Sequence, residues 1–227
     1  MSGKPSSTRQ QRRSAQTHTT SSRQHNARRT WLIVPAVVLA IAAVAFAIVY
    51  ATSGEPANSG DEVGYDVGDP RPGEQAPDFT LPATTGEQIS LVDYRGSAVL
   101  LYFQEGLMCQ PCWDQMRDLE QDIDAVRAAG VDEMLAITTD PIDLVTRKVH
   151  DDGLTTPTLS DPDLAVSRIY QTNLYGMMGD SRNGHSFILV GPDGTIQWRA
   201  DYGGEPDYTM YVPVDDLLAD LRAGRQP

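Results

Sequence analysis

The chain has 227 residues, 40% of them hydrophobic, which suits one sizeable domain with appendages. Its net charge of −13 hides an asymmetry: Lys4, Arg9, Arg12, Arg13, Arg23, Arg28 and Arg29 lie in a stretch, residues 1–30, that holds no acid. The remaining 11 basic residues face all 31 acidic ones, a balance of −20; a basic tail ahead of an acidic domain suggests nucleic acid, but the segment between them decides otherwise.

Residues 1–30 are rich in Ser, Thr, Gln and Arg without apolar periodicity, a composition expected to stay disordered. From Trp31 to Tyr50 the chain runs WLIVPAVVLAIAAVAFAIVY, free of charge and long enough to span a hydrocarbon core as a helix. Aromatic residues close both ends, as at membrane interfaces, and the Arg-rich flank predicts a cytoplasmic tail. A cleaved signal peptide, cut near Ala51 or Ala57, is the alternative. The long polar lead-in and the length of the apolar run favour an uncleaved single-pass anchor instead. The basic tail then reads as a topology determinant and a contact for anionic lipid, with nucleic acid the weaker option, and the acidic domain is placed outside the cytoplasm. Residues 51–72, rich in Gly, Pro, Ser and Asp, read as a flexible linker.

The folded domain is expected over residues 73–227. Ala76–Pro82 is extended, Thr84-Thr85-Gly86-Glu87 turns, and Gln88–Leu91 alternates as a short strand. The unbroken apolar run Ala98–Phe103 suits a strand buried on both faces. From Trp113 the apolar positions Met116, Leu119, Ile123 and Val126 follow helical spacing up to Gly130. Glu133–Thr138 reads as a second central strand. Pro141–His150 reads as a helix with Asp140 as its N-cap and Gly153 beyond its end. Pro162–Tyr170 is a third helix. Ser186–Val190 and Thr195–Ala200 form a hairpin around Gly191-Pro192-Asp193-Gly194, and Pro213–Arg222 is a closing helix. Asp201, Glu205, Asp207, Asp215, Asp216 and Asp220 are expected on a solvated acidic face. The order predicts an α/β fold, a β-α-β crossover followed by a hairpin, with helices on both faces of a mixed sheet.

The two cysteines of the chain, Cys109 and Cys112, sit where the apolar strand meets the helix. A helix start offers unpaired N–H groups and the positive end of the macrodipole, which favour a thiolate at Cys109. Cys112 lies one turn on, close enough to close a disulfide, and Pro111 suits an early helical position. A purely structural disulfide gains little from so short a loop. A zinc half-site lacks a second Cys/His pair to complete it. Redox chemistry is therefore the favoured reading.

This pattern resembles the thioredoxin-fold superfamily, in the branch shared by peroxiredoxins (alkyl hydroperoxide reductase and thiol-specific antioxidant proteins) and membrane-anchored thiol–disulfide reductases. The residues that carry the resemblance are Gly73–Leu81, Tyr94-Arg95-Gly96, Cys109-Gln110-Pro111-Cys112, Leu159–Asp163 and Pro192-Asp193-Gly194. The resemblance implies an oxidoreductase acting on a protein disulfide or thiol, or on a hydroperoxide, with a thiol protein as electron donor and no bound cofactor. Peroxiredoxins place Pro and Thr just ahead of the reactive cysteine; here the stretch is Glu105-Gly106-Leu107-Met108. Thioredoxin-like reductases place a cis-proline opposite the cysteines; the matching position here is His185, with Arg182 three residues before it. His185 is weighed as a backbone-bonded loop residue, as a charge partner for Cys109, or as a third Cu(I) ligand beside Cys109 and Cys112, as in copper-delivery proteins of this superfamily. Glu105 is a candidate proton carrier or a solvated carboxylate. Met108, Met177 and Met178 are a soft thioether set near that copper or, by default, gap-filling hydrophobes.

Overall fold

A computed structural model of the protein describes residues 64–226. The expected tail, the anchor over residues 31–50 and the first part of the linker lie outside them. Among the described residues no helix is long and apolar enough to cross a membrane.

The element order is β1 (Thr80–Pro82), β2 (Gln88–Ser90), β3 (Val99–Phe103), α1 (Gln110–Gln121), α2 (Ile123–Ala128), β4 (Glu133–Thr138), α3 (Ile142–Asp151), β5 (Thr158–Ser160), α4 (Ala165–Ile169), β6 (Ser186–Val190), β7 (Ile196–Asp201) and α5 (Val214–Gly224), with short 3-10 turns between. The main sheet has the order β5-β4-β3-β6-β7. Strands β3, β4 and β5 run parallel; β6 and β7 are antiparallel to their neighbours. This is the mixed α/β sheet expected, with β1 and β2 forming a separate hairpin.

Strand β3 is buried along its whole length and feeds two cores. Leu100 and Tyr102 face a core built with α1, α3 and α5 through Trp113, Met116, Val145 and Leu217. Val99, Leu101 and Phe103 face a second core with Phe79, Leu91, Val166 and Tyr170. The alternation follows from the period of two along a strand. Leu101 and Leu135 are fully buried, so truncating either to Ala should cost about 2–5 kcal/mol.

Four elements differ from the sequence reading. The helix after the cysteines begins at Gln110 rather than Trp113, because Cys109 is its N-cap, and it breaks at Asp122, where the backbone leaves helical values (φ −99°, ψ 26°). Thr158–Ser160 is an edge strand on β4 rather than a lead into a helix. Helix α4 starts at Ala165, not Pro162, and the Asp161 carboxylate reaches ahead to the N–H groups of Val166 (3.3 Å) and Ser167 (2.7 Å). The chain also packs on the sheet ahead of Gly73. Asp66 pairs with Asp201 through backbone bonds of 3.1 and 2.9 Å, and Tyr65 sits edge-on to Trp198 and Tyr202. The free edge of β7 is thereby covered at that end.

Candidate active site

Strand β3 ends at Phe103, and after six intervening residues the chain must start α1 at the sheet's carboxyl edge. A sharp turn at Gly106 accomplishes this. Its φ of +93° lies in the left-handed region that favours glycine. The Gly106 carbonyl accepts from Cys109 N–H (2.9 Å) and from the Trp113 indole N–H (3.0 Å). Trp113 is fully buried, the core residue its helical position implies.

Cys109 and Cys112 are joined in a disulfide. Cys109 is the N-cap of α1, and its sulfur accepts from the Cys112 N–H at 3.2 Å. That N–H is one of the orphan donors of a helix start, the group type that stabilises a thiolate once the disulfide opens. Both sulfurs are largely covered: Cys109 is 5% exposed and Cys112 wholly buried. An incoming reactant therefore meets Cys109 first.

Beneath the pair lies Tyr102. Its hydroxyl is 3.2 Å from the Cys112 carbonyl and 3.1 Å from His185 Nδ1. Burial, then the nearby Glu105 carboxylate, pushes the phenol well above its ordinary value, so it stays a donor. His185 is fully buried against Tyr102, Phe187 and Tyr202 rather than exposed in a loop. Its imidazole bonds a side chain, while its backbone N–H donates to Tyr175 and its carbonyl accepts from Tyr202. Burial pushes His185 down to about 3, so at neutral pH it offers Cys109 no positive charge. Nε2 has no hydrogen-bond partner among the described residues. Among the described residues no group of three or more His, Cys, Asp or Glu side chains is arranged to hold a metal.

Glu105 is buried, not solvated, and its Oε1 accepts from Met177 N–H at 2.9 Å. Arg182 reaches the Glu105 carbonyl (3.1 Å) and pairs with Asp140 Oδ1 (2.9 Å). Asp140 does not cap α3, whose N-cap is Pro141; its Oδ2 accepts from Leu107 N–H at 2.6 Å. Met108 is 82% exposed, Met177 57% and Met178 54%, so these methionines fill no gap. Tyr102 and Asp140 are the site residues that sequence reasoning missed. A tyrosine inside an all-apolar strand was one available signal, since a buried phenol needs a partner.

Residues 72–199 match the AhpC/TSA family. The chain is 35% identical over 130 residues to peroxiredoxin Bcp of Escherichia coli K12, covering 55% of this chain and 81% of that protein. It is 34% identical over 100 residues to the thiol-disulfide oxidoreductase ResA of Halalkalibacterium halodurans, covering 44% of this chain and 56% of that one. Among solved structures, peroxidoxin BcpB of Mycobacterium tuberculosis superposes with a TM-score of 0.56 at 21% identity, over 68% of this chain and 98% of the other, a likeness of fold. The matched span contains the cysteine pair, its turn and the residues beneath it, and the chain belongs to the AhpC/TSA family as an oxidoreductase acting on thiol groups.

Proposed function

We propose that the protein is a membrane-tethered, extracytoplasmic thiol–disulfide oxidoreductase that cycles through the Cys109–Cys112 dithiol. The observation that carries this reading is the closed disulfide at the start of α1, with its more accessible sulfur at the N-cap. In the reducing direction the Cys109 thiolate attacks one sulfur of a substrate disulfide, forming a mixed disulfide and releasing the other sulfur as thiolate. The Cys112 thiolate then attacks Cys109 Sγ, expelling the second substrate sulfur and closing the internal disulfide. A thiol protein that donates two electrons reopens it. The uncharged run of residues 31–50 supports the tether, and the Arg-rich tail ahead of it supports a cytoplasmic N-terminus.

A second reading is favoured by the relatives named as peroxiredoxins. Cys109 would attack a hydroperoxide oxygen, becoming a sulfenic acid as the O–O bond breaks and an alcohol or water leaves. Cys112 would then displace hydroxide, leaving as water, to form the same disulfide.

Stopped-flow oxidation of the reduced protein separates the two readings. Disulfide exchange predicts that Cys109 reacts with hydrogen peroxide no faster than an ordinary thiol at equal thiolate fraction, and that Cys109→Ser abolishes disulfide turnover. Peroxide oxidation faster by orders of magnitude would replace the first reading with the second. The reduction potential of the pair then fixes direction, a value near thioredoxin's ~−270 mV marking a reductant and one near DsbA's ~−120 mV an oxidant.

A further inference from the structure

Gly106 makes the turn that leads into Cys109. The peptide groups around it are engaged by three separate parts of the chain. Arg182, from the loop before β6, takes the Glu105 carbonyl; Asp140, from the β4–α3 connection, takes the Leu107 N–H; Trp113, on α1, takes the Gly106 carbonyl. The first two are bound to each other as an ion pair, and Thr138 adds its hydroxyl to Asp140 Oδ2 at 3.2 Å. A Cβ on Gly106 would lie 1.9 Å from Asp140 Oδ2, so the carboxylate occupies the space that only glycine leaves open.

We propose that Asp140 and Arg182 are positioning residues for Cys109, a paired clamp that sets the direction from which its sulfur meets a substrate. The inference rests on Cys109 being the attacking thiol. Exchange requires the attacking sulfur to approach along the axis of the bond it breaks, and a small displacement of a reacting atom costs a large factor in rate. Cys109 follows the clamped Leu107 N–H by two residues, and its own N–H donates back to Gly106, so a shift of the turn moves the sulfur directly. The two residues work as a unit. The Asp140 side chain is only 6% exposed, and without Arg182 it is a nearly buried carboxylate lacking its counter-ion.

The test uses the reduced full-length chain in detergent and its second-order rate of reaction with hydroxyethyl disulfide, a small uncharged probe. Asp140→Ala should lower that rate about tenfold or more. Asp140→Asn keeps an oxygen for the Leu107 N–H and should recover the rate to within about threefold of wild type. Arg182→Gln should fall between them, and a double variant with Asp140→Ala should be little slower than Asp140→Ala alone, as expected of coupled partners. Rescue by Asn is the readout that a general loss of stability would not produce. Folded Asp140→Ala and Arg182→Gln proteins reacting at the wild-type rate would overturn the proposal. Should Asp140→Ala fail to fold, Arg182→Gln decides alone, and a wild-type rate overturns it. Turnover surviving in Cys109→Ser would instead strike the assignment of Cys109 as nucleophile.

Discussion

The Tyr102 hydroxyl has one proton and two polar neighbours. The Cys112 carbonyl can only accept, so the phenol donates there, and His185 Nδ1 must carry the hydrogen that it donates to the phenol oxygen. Nε2 is then a bare lone pair in a fully buried site, without a partner among the described residues. Adding a proton would place a charge where nothing solvates it, and this is what pushes His185 down to about 3. The sign of the consequence is fixed. Above about pH 6.5 neither the folded nor the unfolded chain protonates this imidazole, and it leaves stability unchanged. Below that, the unfolded chain binds a proton that the folded one refuses, so stability falls as pH drops toward 3, by up to ~1.4 kcal/mol per pH unit. His185→Phe should remove one proton from that dependence. Urea unfolding of the oxidised variant between about pH 6 and pH 4 should show a shallower slope than wild type, and identical slopes would refute a buried neutral imidazole. At the cysteines themselves, brief alkylation of the reduced chain should label Cys109 ahead of Cys112, since only the former has surface to offer. Peptide mapping that found Cys112 labelled first would reverse their roles.

Packing of secondary elements puts the most deeply buried ion pair among the described residues outside the active site, at β7. Arg199 and Asp201 are both fully buried and joined by two bonds, Nε to Oδ2 at 2.7 Å and Nη2 to Oδ1 at 3.1 Å. The same carboxylate accepts from Gly68 N–H (2.8 Å), and Arg199 Nη1 donates to the Pro70 carbonyl (3.2 Å). The pair therefore fastens residues 66–70 to the sheet. Removing one partner leaves the other charge buried and uncompensated, so Asp201→Ala should cost about 3–5 kcal/mol in urea unfolding. The double change Arg199→Met with Asp201→Leu should be milder, because it buries no orphan charge. A double variant as unstable as Asp201→Ala would show that the bonds to Gly68 and Pro70, rather than the pairing of charges, hold the element. Asp201 was expected on a solvated acidic face, and Asp140 as a helix cap. Both expectations followed from neighbours in sequence, whereas the actual partners include Gly68, Leu107 and Arg182, far along the chain. Strands β3 and β4 were legible because an apolar run is a local signal that burial enforces. Strand β5, three residues reading TLS, carries too little pattern to separate from a turn. The helix starts ahead of its visible pattern, because periodicity begins only at the first apolar residue, Trp113, while the cap is a cysteine.

Over the whole molecule, charge is divided between two regions of opposite sign, a basic tail and a remainder with a balance of −20. An acidic body is repelled by anionic lipid, so nothing in its charge would draw the redox domain to a membrane surface. Association should then rest on the apolar run of residues 31–50, with the basic tail adding a contact for anionic lipid that salt weakens. The prediction is that the full chain stays in the membrane fraction through a high-salt wash, which strips proteins held by charge, and is released only by detergent. Mass spectrometry of the extracted protein should find residues 1–30 still attached, because a polar lead-in of that length and an apolar run that can span the bilayer suit an anchor better than a cleaved leader. In intact cells a membrane-impermeant thiol reagent, applied after mild reduction, should reach Cys109 without lysis. A mature N-terminus between Ala51 and Asn58 would sink the anchor while leaving the redox chemistry untouched. Labelling of Cys109 only after lysis would place the domain on the cytoplasmic side, where a reducing thiol pool would keep the pair open and favour the peroxide reading over disulfide exchange.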